Sequence, residues 1–101
     1  MANLWLLDEN GLKAQGWDIG TQPVAIGRGE SADVSVEDEA LSRRHFLVVP
    51  RGQTFEIHDL DSQNGTFVDG KPAGRLPVHH HNCIQAGRSV FIFDDPATAT
   101  A

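Results

Sequence analysis

The chain has very little cysteine and no long hydrophobic run. Its single cysteine, Cys83, excludes an intrachain disulfide and suits a reducing compartment. The apolar run at residues 4–7 is too short for a signal peptide, and no window is long enough to span a membrane. We therefore expect a cytoplasmic protein that does not associate with membranes.

Basic residues are also scarce. Eight lysines and arginines stand against fourteen acidic residues, which gives a net charge of −6 over 101 residues. This balance argues against general nucleic-acid binding, so any anion site must be basic only locally. The length predicts a single domain.

Helical periodicity is absent, and short apolar runs punctuated by Gly, Asn and Asp take its place. This pattern predicts an all-β sandwich or barrel. Strands are predicted at residues 4–8, 16–19, 24–26, 34–36, 46–49, 54–58, 66–68, 84–86 and 90–93. The pairs at 64–65 and 69–70 are typical of hairpin turns. Residues 1–95 are expected to form the folded domain, and 96–101 a flexible tail or the start of a linker.

Three stretches carry the polar residues of interest, at 27–28, 42–45 and 62–66. Each has an ordinary explanation when it is taken alone. Gly27-Arg28 could end a strand with a surface arginine. Residues 42–45 could be a solvated loop or a kinase target, and Asn64-Gly65 could be a type I′ turn.

Taken together, these stretches resemble the forkhead-associated (FHA) domain. Gly-Arg follows a strand at 27–28, Ser-x-x-His stands at 42–45, and Asp-Leu-x-Ser-x-Asn-Gly-Thr occupies 59–66. The closing segments at 84–87 and 90–93 resemble the family's last hairpin. The resemblance covers residues 4–94 and implies a two-sheet β-sandwich of about ten or eleven strands with functional loops at one end. It also implies phosphothreonine recognition in Ser/Thr kinase signalling.

The resemblance further implies which residues contact the ligand. A phosphothreonine carries a charge of about −1.5 to −2 and three acceptor oxygens. The guanidinium of Arg28 fits two oxygens as a fork, and the hydroxyl of Ser42 can donate to a third. Arg43 can reach the phosphate, while Asn64 can hold the peptide backbone, with Gln63 as a second loop contact.

Other motif residues are expected to support the site. By the resemblance, His45 braces the loops and Gly65 permits the turn, and the supporting set is completed by Gly27 and Thr66. Asp33 is expected to shape the loop after Arg28.

One departure from the family pattern lies before the last hairpin, where His81-Asn82 replaces Gly-Asp. We expect Asn82 to take the left-handed turn conformation. The run 79–81 with Cys83 suggests a metal site, but adjacent histidines on a strand point to opposite faces. No metal and no cofactor is therefore expected.

The acidic residues 37–39 are interpreted as a solvated turn, and the alternative is a wall that repels acidic target residues. No nucleophile–base pair or nucleotide-binding loop is present, so we do not expect an enzyme. The alternative to phosphothreonine binding is a phospho-independent structural or oligomerisation domain. The expected partner is a threonine-phosphorylated protein, and we expect the module to be part of a larger chain.

Overall fold

The computed structural model describes residues 2–98 and contains eleven β-strands and one short 3₁₀ helix. The elements are β1 (Ala2–Leu7), β2 (Lys13–Ile19), β3 (Val24–Gly27), β4 (Val34–Ser35), β5 (Phe46–Arg51), β6 (Thr54–Asp59), β7 (Thr66–Val68), β8 (Lys71–Pro72), β9 (Arg75–Val78), β10 (Cys83–Ala86), β11 (Ser89–Asp94) and the 3₁₀ helix Pro96–Thr98. The predicted all-β class is confirmed.

Two sheets pack face to face. One has the strand order β2-β1-β11-β10-β7-β8, and the other has the order β4-β3-β5-β6-β9. The β3–β4 pair is parallel and the other described pairs are antiparallel. The predicted two-sheet sandwich is thus confirmed.

Alternating apolar side chains fill the space between the sheets. Phe46 and Ile57 come from one sheet and Phe91 and Phe93 from the other, and all four are fully buried. The rings of Phe46 and Phe91 meet edge to face with centroids 5.6 Å apart. Each such side chain stabilises the fold by about 1.5–3 kcal/mol through burial. This core fixes the relative position of the strands that carry the site.

Some strand bounds differ from the predictions. β2 begins at Lys13 rather than residue 16. Residues 13–15 are exposed and give no apolar signal in the sequence, but they pair with β1. β8 and β9 had no clear sequence signal, since β8 is exposed and β9 contains Pro77. Proline is tolerated there because β9 is an edge strand.

Two turn predictions have different outcomes. Asp69 and Gly70 both have positive φ, 49° and 83°, and join β7 to β8 as a tight hairpin. At Asn64-Gly65 only Gly65 has a positive φ, 80°, and the flanking strands β6 and β7 belong to different sheets. The interpretation of Asn64-Gly65 as a type I′ hairpin turn was therefore wrong.

The pairing register of β3, β5 and β6 brings three loops to one end of the sandwich. Phe46, at the start of β5, pairs with Ile26 near the end of β3 and with Asp59 at the end of β6. The loops at 28–33, 36–45 and 60–65 therefore leave the sheet side by side. These are the loops that contain the predicted contact residues.

The predicted tail begins with the 3₁₀ helix, and its residues 99–101 lie outside the described residues. Within residues 2–98, no helix is long and apolar enough to cross a membrane.

Candidate functional site

The end of β3 lies directly against the loop that carries Ser42. The Arg28 N–H donates to the Ser42 carbonyl at 3.1 Å, and the Gly29 N–H donates to the Arg43 carbonyl at 3.0 Å. A Cβ at Gly27 would overlap the Arg43 carbonyl oxygen, so only glycine permits this approach. The backbones of Arg28 and Ser42 are thereby held side by side.

His45 ties two of the loops together. Its ring is fully buried; Nδ1 accepts the Ser42 N–H at 3.0 Å, and Nε2 lies 2.8 Å from the Gly65 carbonyl oxygen. Because Nδ1 is the acceptor, Nε2 is the nitrogen that donates to Gly65. The position of Ser42 is therefore linked to that of the 60–65 loop through one imidazole.

A small hydrogen-bond network folds the 60–65 loop on itself. Asp59 Oδ1 accepts the hydroxyls of Ser62 at 2.5 Å and Thr66 at 2.7 Å, and its Oδ2 accepts the Ser62 N–H at 3.0 Å. The Ser62 hydroxyl oxygen in turn accepts the Gly65 N–H at 3.0 Å. Burial opposes ionisation of Asp59, but the hydrogen bonds from Ser62 and Thr66 outweigh it and hold its pKa below the usual value.

Asp59 and Ser62 lie within the quoted motif, but sequence reasoning gave neither of them a role. The available signal was an aspartate followed three residues later by serine, a spacing typical of side chains that hydrogen-bond within a turn. Thr66, predicted as a supporting residue, is buried, and its hydroxyl donates to the carboxylate of Asp59.

Gln63 and Asn64 both form hydrogen bonds with the 36–45 loop. The Ser42 hydroxyl oxygen accepts the Gln63 N–H at 3.2 Å, and the Asn64 side-chain amide donates to the Ala40 carbonyl at 2.7 Å. Asn64 and Gln63 are exposed, and Ser42 is half-buried. The structure therefore brings the loops of Arg28, Ser42 and Asn64 together.

Exposed guanidinium groups border this arrangement. Arg28 and Arg43 are both exposed, while their backbones are fixed by the bonds between the two loops. Asp33 anchors the start of β3, since its Oδ2 accepts the Ala25 N–H at 2.8 Å. Exposed cationic side chains on a hydrogen-bonded backbone, beside a hydroxyl and an amide, can bind an anion carried by a peptide.

Comparison with known proteins gives a family match. Residues 24–87 match the family model described as the FHA domain. The chain belongs to the FHA-domain family. FhaB of Mycolicibacterium smegmatis is 35% identical over 69 residues, which cover 68% of this chain and 44% of that protein. The oxoglutarate dehydrogenase inhibitor of Corynebacterium jeikeium is 31% identical over 72 residues, which cover 71% of this chain and 50% of that protein.

Solved structures agree with this assignment. A domain studied for phosphothreonine-dependent FHA interactions superposes with a TM-score of 0.84 and 30% identity, covering 93% of this chain and 95% of that one. The FhaA FHA domain, solved in complex with the intracellular domain of Rv3910, gives a TM-score of 0.83 and 30% identity, covering 92% of this chain and 99% of that one. This FHA domain thus spans nearly all of these solved domains but only half or less of the two curated relatives above.

The acidic residues beside the FHA site are more than a solvated turn. Asp38 accepts the Arg88 N–H at 2.9 Å, the Ser89 hydroxyl at 2.7 Å and the Ala40 N–H at 2.9 Å. It thereby joins the 36–45 loop to the β10–β11 turn. Burial opposes its ionisation, but these hydrogen bonds and the charge of Arg88 hold the pKa of Asp38 below its usual value.

Glu37 and Glu39 remain exposed and line a cavity of about 460 Å³ together with Asp38 and Arg28. The interpretation as a solvated turn therefore holds for the two glutamates and was wrong for Asp38. The sequence could not reveal the hydrogen bonds that Arg88 and Ser89 donate to Asp38, because about fifty residues separate Asp38 from these partners.

Proposed function

We propose that this FHA domain binds threonine-phosphorylated proteins in Ser/Thr kinase signalling. The observation that carries the proposal is that the buried His45 links Ser42 to the loop of Asn64, while backbone hydrogen bonds hold Arg28 beside Ser42. A phosphate with an attached peptide needs this combination of charge, hydroxyl and amide.

Each contact residue has a distinct task in the proposal. Arg28 donates its planar fork to two phosphate oxygens. Ser42 is well suited to a third oxygen, because its oxygen already accepts the Gln63 N–H and its hydrogen remains to be donated. Arg43 adds positive charge from the same loop.

Asn64 reads the peptide backbone in this proposal. One of its amide hydrogens is used on Ala40, which fixes the orientation of the side chain. The second hydrogen and the carbonyl oxygen can then pair with a peptide C=O and N–H. Gln63 contributes from the adjacent position, and Gly27, His45, Gly65 and Thr66 hold the contact residues in place.

The expected affinity is moderate. Each charge-assisted hydrogen bond contributes about 1.5–3 kcal/mol. Three such bonds contribute about 4.5–9 kcal/mol, and the cost of ordering a flexible peptide lowers this sum. A micromolar Kd, about −8 kcal/mol, therefore also requires the contacts of Asn64 with the peptide backbone.

We propose a binding module rather than an enzyme, with a folded domain over residues 1–95 and a linker from residue 96. We also propose that it acts in the cytoplasm within a larger protein, as the greater length of its relatives suggests. The alternative, a phospho-independent structural or oligomerisation domain, would not require the exposed Arg28 beside Ser42.

The test is a calorimetric titration with a phosphothreonine peptide library and its unphosphorylated counterpart. Wild type should bind only the phosphorylated peptides, and Arg28→Ala should abolish that binding. Arg44→Ala is the matched control, because Arg44 is an exposed arginine of the adjacent 36–45 loop and has no contact with the ligand in this proposal. Equal binding of both libraries, or equal effects of the two variants, would refute the proposal in favour of the alternative.

A further inference from the structure

The turn between β9 and β10 presents two histidines on the same side. His81 has a φ of 69°, in the left-handed region, and this breaks the alternation expected of an extended strand. The rings of His80 and His81 stack with centroids 3.7 Å apart. The prediction that Asn82 would take the left-handed conformation was wrong. The premise that the side chains of adjacent histidines here point to opposite faces was also wrong for His80 and His81.

The backbone of this turn is firmly held. The His81 N–H donates to the Phe93 carbonyl at 2.6 Å, and the Phe93 N–H donates to the Asn82 carbonyl at 3.1 Å. The His79 N–H donates to the Asn82 side-chain oxygen at 2.7 Å. The positions of the two imidazoles relative to β11 are therefore set by the fold.

Asp94, at the end of β11, faces both rings. Its Oδ1 lies 3.3 Å from His81 Nε2 and 3.5 Å from His80 Nδ1. This oxygen is buried and accepts no hydrogen bond among the described residues. One donor atom from each of the three residues falls within 4.8 Å of the other two.

These separations fit a small divalent ion. Ligand atoms about 2.0–2.2 Å from a tetrahedral zinc ion are about 3.4 Å from one another. Two imidazoles and one carboxylate are donors that zinc and neighbouring transition metals accept, whereas calcium and magnesium prefer oxygen ligands throughout.

We propose that His80, His81 and Asp94 form a binding site for a divalent transition-metal ion such as Zn²⁺, with solvent completing the coordination. The site clamps the β9–β10 turn to the end of β11. It lies at the opposite end of β11 from Ser89, which contacts Asp38 near the phosphopeptide loops. The six-residue length of β11 separates the two ends by roughly 16 Å, so an ion here leaves the phosphopeptide loops free.

Binding requires two local adjustments. Stacked rings direct their nitrogen lone pairs side by side, so one imidazole must rotate for both to point at one ion. His80 Nδ1 also accepts the Asp95 N–H at 2.9 Å, and coordination through that nitrogen replaces this hydrogen bond. The amide of Asp95 is therefore a specific reporter of the event.

Lys13 opposes binding. Its ammonium group lies 3.3 Å from Asp94 Oδ2 and 4.7 Å from the centroid of the Trp5 ring. Removing this charge should strengthen metal binding, because the ammonium both occupies the carboxylate and repels a cation. Lys13→Met keeps an unbranched side chain over Trp5.

The experiment is a titration of the untagged domain with ZnCl₂, followed by calorimetry and by amide NMR. One ion per chain should bind, with a displaced Asp95 amide resonance. His81→Asn, which tolerates the left-handed conformation, and Asp94→Asn should each weaken binding by about tenfold or more, while Lys13→Met should strengthen it.

His79→Ala is the matched control, since His79 is an exposed neighbour outside the cluster. Circular dichroism verifies that each variant is folded. Absence of binding to wild type would overturn the proposal. A loss of zinc affinity in His79→Ala as large as that in His81→Asn would also overturn it, because exposed histidines in general would then hold the ions.

Discussion

His45 gives the sharpest test of how the loops are held together. It is fully buried and engages the Ser42 N–H at 3.0 Å and the Gly65 carbonyl at 2.8 Å. His45→Ala leaves these two backbone groups without their partner. Each buried group that loses its partner costs about 1–3 kcal/mol, and water entering the polar cavity recovers part of that cost.

We therefore expect His45→Ala to lower the free energy of unfolding by about 2–4 kcal/mol, within the 5–15 kcal/mol typical of a domain. With a urea m-value of about 2 kcal/mol per molar, the unfolding midpoint falls by about 1–2 M. Fluorescence of Trp17, which packs against the core, can follow the transition. Phosphopeptide affinity should fall as well, because Ser42 loses its link to the Asn64 loop through the imidazole and keeps only the hydrogen bond from the Gln63 N–H to its hydroxyl.

The matched control is His58→Ala. His58 is a half-buried histidine whose ring lies 2.9 Å from Glu56 and bridges no loops. It should lower stability far less and leave peptide binding unchanged. If both variants lost the same stability, or if His45→Ala bound the peptide as wild type does, the bracing role of His45 would be refuted.

Three further predictions concern the same loops. Gly27→Ala should destabilise the domain by about 1–3 kcal/mol in urea unfolding, because its Cβ meets the Arg43 carbonyl, whereas Gly20→Ala, with open space around it, should not. The lowered pKa of Asp59 stabilises the fold above the unfolded pKa of about 4, and this contribution is lost as the pH falls through the folded pKa. Unfolding measured from pH 7 to pH 2 should therefore show a shallower acid loss for Asp59→Asn than for wild type, and parallel curves would contradict this. A peptide with Glu in place of phosphothreonine should bind poorly in calorimetry, because a carboxylate offers fewer acceptors and about half the charge, and equal affinity would contradict the account.

The fold and the loop motif could be predicted because their signals are local. Alternation over 34–36 and 54–58 marks half-buried strands, and the residues at 27–28, 42–45 and 59–66 stand in a fixed order. β8 could not be predicted, because its two residues are exposed and its existence depends on pairing with β7.

The other differences arise from contacts between distant residues. Asp38 looks like one of three solvated acids until the β10–β11 turn is placed against it. His81 takes the left-handed conformation that was expected of Asn82, while Asn82 uses its side-chain oxygen to accept the His79 N–H and its backbone to pair with Phe93. Residue type alone predicts neither the contacts of Asp38 nor the backbone conformations of His81 and Asn82.

Amide NMR during titration with a phosphothreonine peptide tests the central claim most directly. The account predicts that resonances of Arg28, Ser42, Arg43 and Asn64 shift with the phosphorylated peptide and stay in place with the unphosphorylated one. The amide of His81, at the other end of the sandwich, should not move with either peptide. Equal shifts with both peptides, or shifts confined to residues outside the three loops, would contradict the account.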